Sequence, residues 1–253
     1  GQIFRALGHN AASVEAYARA RDVAPHDEGR CDALIGMVES MRDASEADQA
    51  MALLDLAQEI AERQELMTAL AQIHGRRGDL HFPRGQVEAC LVEQRQSLRL
   101  AKIAGSIELE VKALSGLGDA EYARGHMATA HNHFSECVDR CRQNSLPQFA
   151  NPNLALRGLT AFYCGKPRDA VHDCLEAIRA STGSRQVRAE LVARTAAAPA
   201  LIEMLRLSEA GAEAEAAAQL ADRLGARRFL PECLSFQSRL CRIDGQNDKA
   251  ERL

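Results

Sequence analysis

Apolar side chains between residues 111 and 150 fall at Leu114, Leu117, Tyr122 and Ala123, the three-and-four spacing of one helix face, until Gly125 breaks the pattern. Beyond that break Met127, Ala130, Phe134, Cys137, Val138 and Cys141 again recur at intervals of three and four, which puts them on one face of a second helix. The unit so predicted is a helical hairpin. No stretch of the chain sustains period-two alternation, so the expected fold class is all-α.

The hairpin repeats. Gly78, Gly118 and Gly158 stand 40 residues apart, and Ala198 follows at the next step. Gly85, Gly125 and Gly165 keep the same period, which skips Leu205 and returns at Gly245. Small residues do likewise at Ala50, Cys90, Ala130, Ala170 and Ala210, and at Ala57, Ser97, Cys137, Ala177 and Ala217. Pro147, Pro231, Gly105 and Gly225 punctuate the joints between units. Turns are expected near Ser45, Gly85, Gly125, Gly165, Leu207 and Gly245. The implied organisation is a single domain over 1–253: a partial repeat at 1–26, repeats near 27–66, 67–106, 107–146, 147–186 and 187–226, and a partial repeat at 227–253.

Small residues at fixed places have a steric cause, since a bulky side chain where two helices cross closely forces them apart. Gly118 and Ala130 are the contact points expected in one unit. A helical hairpin cannot bury its apolar face alone, so successive hairpins are expected to stack into a right-handed α-α superhelix with a concave inner wall.

Composition narrows the function classes. Of 253 residues, 46% are apolar, 26% charged and 4% aromatic, which suits a folded chain with a large core. The net charge of −4, without a long run of either sign, gives no general grip on nucleic acid or anionic membrane. The longest apolar stretch, Thr195 to Leu205, is interrupted by Pro199 and Glu203 and falls short of the roughly 20 residues a membrane span needs. Eight cysteines, scattered through a chain without a secretory h-region, read as cytoplasmic thiols used for packing.

Candidate chemistry is sparse. Gly158 and the Gly165-Lys166 pair have six residues between them where a phosphate loop has four, and Pro167 replaces the hydroxyl residue, so this segment reads as a repeat turn. His131 and His133, at i and i+2 on a helix, point about 200° apart and do not chelate one ion; they read as solvated or capping side chains. Cys137 and Cys141 share a face, with Cys164 and Cys174 in the next hairpin, and buried packing is favoured over a zinc site. Arg227, Arg228 and Phe229 form the compact basic and aromatic cluster, read as a solvated helix start. No Cys, His and acid grouping is close in sequence, which leaves a triad assembled only in space open. Glu213 reads as a residue of a polar helix face whose amide variant changes little.

The run from Ala113 to Ala120, followed by Gly125, Ala130, Phe134 and Cys137, resembles the tetratricopeptide repeat (TPR), with its Leu-Gly pair, turn glycine, Ala, aromatic and second Ala in order. Gly8 to Pro25 resembles the second half of one such repeat. The departures are a unit of 40 in place of about 34 residues and the absence of Trp. More narrowly, Gly78 to Phe82, Leu117 to Gly125 with Met127, Ala130, His131, His133 and Phe134, and Leu224 to Phe229 resemble the C-terminal helical region of bacterial multidomain proteins. These join a class III adenylate or guanylate cyclase domain, a nucleotide-binding ATPase module and TPR-like repeats.

That resemblance implies a repeat region cut from a larger signalling protein. It carries no catalytic residues, cofactor or metal of its own, because a cyclase's metal-holding aspartates sit on strands. By resemblance to the repeat family, the concave wall receives Ser115, Asp119 and Tyr122 from one unit and Asp79 and Phe82 from the one before. Some family members clamp a C-terminal carboxylate with Lys and Asn; here Gly75, Asp79, Ser115 and Asp119 stand at the matching places, so basic or mixed peptides are favoured. The expected partner is a protein, a peptide or a neighbouring domain of the parent chain, with no nucleic acid and no membrane. The alternatives are the sensor region of an ATP-dependent transcriptional activator and an enzyme on a helical-repeat scaffold.

Overall fold

The computed structural model describes residues 1–41, 46–182, 186–226 and 229–252. The turn expected at Ser45 and the basic pair Arg227 and Arg228 lie outside the described residues. Described residues form α1 (Gln2–Ala6), α2 (Asn10–Val23), α3 (Asp27–Ser40), α4 (Ala47–Arg63), α5 (Met67–His81), α6 (Val87–Ala104) and α7 (Ile107–Ala123). Then follow α8 (Met127–Gln143), α9 (Pro147–Tyr163), α10 (Pro167–Ser181), α11 (Val187–Glu203), α12 (Leu207–Arg223), α13 (Leu230–Ile243) and α14 (Asn247–Ala250). A 3-10 turn, Phe82–Arg84, extends α5, and no strand occurs among the described residues.

The 40-residue repeat resolves into halves of 20: Ala47, Met67, Val87, Ile107, Met127, Pro147, Pro167, Val187 and Leu207 each open a helix. The stop signal keeps the same step. Glu65, Gly85, Gly105, Gly125, Ser145, Gly165, Leu205, Gly225 and Gly245 all take positive φ, between 52° and 78°. At eight of these nine positions, all but Gly125, the next amide is seen to reach back over the joint, as Lys166 N–H does to Ala161 O at 2.9 Å and Arg206 N–H to Leu201 O at 2.9 Å.

The turn expected near Leu207 is centred two residues earlier. Leu205 itself takes the left-handed conformation at φ 57°, with its side chain 82% exposed, and Leu207 already opens α12. The glycine series skips this step while the turn does not, because the returning backbone bond is available to any residue that accepts the strain.

The chain divides into two compact units, Gly1–Arg124 and Gly125–Leu253. In unit 1 successive helices from α2 to α7 pack as neighbours, and the first helices of consecutive repeats, α3, α5 and α7, also touch one another. In unit 2 the helices from α8 to α13 pack in chain order, and α9, α11 and α13 form the corresponding inner row. Leu34, Leu54, Leu70 and Ile73 fill the core of unit 1; Leu154, Val171, Cys174, Ala197 and Leu201 fill that of unit 2. Every member of the two small-residue series is buried, as close helix packing requires.

Glu213 departs from expectation. Its side chain is 17% exposed and accepts from Arg194 at 2.5 Å, while Arg194 also donates to Glu190 at 2.8 Å. The residue belongs to a half-buried ion pair between α11 and α12, so removing its charge leaves Arg194 underpaired. No helix among the described residues is long and apolar enough to cross a membrane.

Candidate functional site

The first helices of unit 1 bring Glu39, Asp79 and Asp119 into register, one from each of α3, α5 and α7 at the 40-residue step. Arg76 ties the first two together: one terminal nitrogen donates to Asp79 at 3.1 Å and the other to Glu39, which Arg5 also pairs. Among the described residues Asp119 has no hydrogen-bond or ion-pair partner. Between α5 and α7 lies a cleft of about 40 Å³, room for two or three waters, lined among others by Glu39, Gln72, Gly75, Arg76, Asp79 and Lys112.

Behind this row stands Gln94 of α6. Its column at 40-residue steps is Leu54, Gln94, Phe134, Cys174 and Ala214, so an amide occupies a place that is otherwise apolar. It is nevertheless only 2% exposed. The side chain passes beside Gly78 and Gly116, where an added Cβ would come within 2.6 Å and 2.5 Å of it respectively. At its far end Nε2 donates to Asp79 at 3.2 Å and to Gly75 O at 3.3 Å, whereas Oε1 is buried without a partner. Ser97, one turn along, donates to Ala71 O at 2.8 Å and closes the floor of the cleft.

This setting weakens the acidity of both aspartates. Burial raises the Asp79 carboxyl above its usual range, against the lowering influence of Arg76, Gln94 and Lys112. Protein crowds Asp79 from the side of α6, yet 55% of its side chain stays open to solvent, which limits the effect. Asp119 is less exposed and has no cation to offset burial, so burial first and the charge of Asp79 second push it up to about 7. The same two carboxylates, after burial, help push the Cys90 thiol up to about 11.

Of the five wall candidates, Asp79 lines the cleft; Asp119 does not line it, but the charge of Asp79 reaches Asp119 on α7. Ser115 and Tyr122 are half-buried on α7, and Phe82 is 38% exposed in the 3-10 turn; these three do not line the cleft. Sequence reasoning missed Gln94, and a polar residue in an apolar column was the signal that could have found it.

His131 is not solvated: it is half-buried, with Nδ1 at 3.3 Å from both Arg157 O and Thr160 Oγ1, and joins α8 to α9. Cys137, Cys141 and Cys174 are buried, and none of the eight cysteines forms a disulfide. The segment around Gly165 and Lys166 is the turn between α9 and α10, with Pro167 opening the latter.

In unit 2, His172, Asp173 and Glu176 place ligand-type atoms within 4.8 Å of one another. Their carboxylates are already engaged: Asp173 accepts from Arg157 twice at 2.7 Å, and Glu176 from Arg142 at 2.6 Å.

Helical hairpins stacked at a fixed step, with small residues at their contacts and a polar cleft on the row of first helices, define a TPR-like helical-repeat region. Solved structures carry the same fold. A Signal Transduction ATPase with Numerous Domains (STAND) protein with a tetratricopeptide repeat sensor, from Pyrococcus horikoshii, superposes with a TM-score of 0.78 at 13% identity. That match takes in 99% of this chain and only 39% of the ATPase. A Rap protein complexed with Competence and Sporulation Factor matches with a TM-score of 0.68 at 15% identity, over 99% of this chain and 74% of that one. BtubC from P. vanneervenii gives 0.66 at 15% identity, over 85% and 87%. No protein-family model matches the sequence, and no curated protein matches it.

Proposed function

We propose that this chain is a noncatalytic interaction and regulatory module that holds a protein or peptide partner along the row of first helices in unit 1. The observation that carries the reading is the cleft between α5 and α7. There Glu39, Arg76, Asp79 and Lys112 gather on the inner row, and the buried Gln94, in a column that is otherwise apolar, holds Asp79 from behind. Phe82, Ser115, Asp119 and Tyr122 extend the surface on either side. The 253 residues act as one repeat domain with no cofactor of their own.

The setting we favour is the C-terminal part of a bacterial cytoplasmic signalling protein in which a class III cyclase and an ATPase module precede the repeats. The likeness to an ATPase that carries a repeat sensor supports the second half of that architecture. In such a parent the repeats bias the nucleotide-dependent modules according to what they hold, and the same logic serves an ATP-dependent transcriptional activator.

The test is a displayed random-peptide library selected against the immobilised full chain. Selected peptides should bind in the micromolar range, and Asp79→Arg should weaken them at least tenfold while the thermal midpoint stays within a few degrees. No enrichment, or binding indifferent to Asp79→Arg and to a second reversal at Asp119, overturns the reading. The purified chain should also form no cyclic nucleotide from ATP or GTP.

A further inference from the structure

Acceptors exceed donors at one point of unit 1. Each oxygen of Asp79 already has one donor, Gln94 Nε2 on one and Arg76 on the other, and retains a further lone pair. Asp119 has none, and Gln94 Oε1 is buried at the same place without a partner. The nearby cations are committed: Arg76 divides itself between Asp79 and Glu39, and Lys112 donates to Glu108 at 2.6 Å. Burying an amide oxygen unpaired beside an uncompensated carboxylate costs free energy that the repeat does not demand, since Leu54 and Cys174 fill the equivalent places without it.

The structure therefore points to a ligand that brings both N–H donors and positive charge. We propose that Asp79, Asp119 and Gln94 form a subsite for the guanidinium group of an arginine side chain in a bound peptide. The planar fork of a guanidinium offers five donors in fixed directions, enough to bridge two carboxylates on adjacent helices. An ammonium offers a compact charge with diverging donors. Asp119 is the principal acceptor, Asp79 the second, and Gln94 the positioning residue that fixes the Asp79 carboxylate from behind. Gly78 and Gly116 leave the passage through which it reaches. The inference rests on the module reading and adds to it the side-chain chemistry of the partner.

The experiment uses the ¹⁵N-labelled full chain at pH 7.5, titrated with acetyl-arginine-amide, the neutral isostere acetyl-citrulline-amide and acetyl-lysine-amide. The arginine probe should shift the Gln94 side-chain amide and the backbone amides of residues 79 and 119 saturably at millimolar concentration. The lysine probe should bind at least threefold more weakly, and the citrulline probe should leave those resonances in place. Asp119→Asn should weaken the arginine probe at least fivefold, and Gln94→Leu, which removes the amide donor to Asp79, should weaken it while the thermal midpoint stays within a few degrees. Equal shifts from citrulline, or arginine binding untouched by Asp119→Asn, overturn the subsite, and the citrulline comparison does so without altering the protein. A library-selected peptide that binds regardless of its arginines and of Asp119→Asn sinks the subsite and leaves the module standing. Arginine binding without any selectable peptide does the reverse.

Discussion

In unit 1 the column of Glu39, Asp79 and Asp119 runs along successive first helices; in unit 2 the same column turns apolar at Leu159 of α9 and Pro199 of α11 and is charged again only at Arg239 of α13. The neighbouring column changes at the same helices, from Asp32, Gln72 and Lys112 to Pro152 in α9 and Val192 in α11, and carries a carboxylate again at Glu232 in α13. Leu159 and Val192 pack on the core cluster of unit 2, and Pro199 is buried inside α11, a helix buried on nearly every side. The second-helix column is apolar at Leu54, Phe134, Cys174 and Ala214 and carries an amide at Gln94 of unit 1. Yet the steric frame is the same. A Cβ on Gly78 would meet Gln94 at 2.6 Å, and one on Gly158 would meet Cys174 Sγ at 2.6 Å. The repeat thus fixes where a side chain goes and how much room it has, and leaves its polarity free. The acidic wall expected from the sequence belongs to unit 1.

Replacing Phe134 by Ala should have the largest effect. It is the bulkiest fully buried side chain among the described residues and belongs to the Gln94 column, so the cavity should cost about 3–5 kcal/mol in urea denaturation. Gln94→Leu, at the same position of the repeat, should change stability by less than about 1 kcal/mol, because an apolar residue replaces an unsatisfied amide. Comparable losses in the two variants would make Gln94 a packing residue and erase the contrast between the units.

A second pair probes the shared frame. Gly158→Ala drives a Cβ against the buried Cys174 Sγ and to 3.1 Å from the Ala170 carbonyl, neither of which can swing away, for about 1–3 kcal/mol. Ala130→Leu, at a fully buried contact of α8, should fall in the same range. Gly116→Ala meets only the far end of Gln94, which can rotate, and gains helix propensity worth up to about 1 kcal/mol. It should be near neutral in stability while detaching Gln94 from Asp79. Thermal melts separate the two, and a Gly116→Ala loss as large as that of Gly158→Ala would mean the Gln94 passage is as rigid as the core.

Much of this fold was legible in the chain, because a 40-residue step in glycines and small residues is a one-dimensional trace of helices meeting at fixed points. The turn at Leu205 was misplaced because residue type reports only which side chains favour the left-handed conformation, and the backbone bond that closes the turn has no sequence signature. Glu213 was misread for a different reason. Its partner Arg194 lies 19 residues away on the preceding helix, and a helix face looks polar and free until the neighbour that covers it is placed. Asp79 and Asp119 were reachable through the repeat register, but Gln94 was not singled out, although comparison with Leu54 and Phe134 marks it. Its consequence, an amide held against Asp79, exists only in three dimensions.

The finest test concerns the charge of Asp119, which has no counterpart in the Leu159 and Pro199 of unit 2. Its carboxyl is held at about 7 against an ordinary 3.8, by burial and then by Asp79. The titratable groups that act on it or that it acts on are Asp79 of α5 and Cys90 of α6, and no cation offsets its burial. Between about pH 4 and pH 7 the folded chain keeps a proton that the unfolded chain has released, so the folded state binds more protons and stability falls as pH rises through that window. Asp79 is shifted in the same direction and steepens the slope. Urea denaturation should therefore show a loss on the order of 1–2 kcal/mol from pH 5 to pH 8. Asp119→Asn should flatten most of that loss, and Asp79→Asn should bring the Asp119 titration, followed by carboxyl ¹³C resonance, toward lower pH. An Asp119 that titrates near 4 in the unaltered chain would show that water reaches it freely, and the inner row of unit 1 would then be an ordinary solvated face.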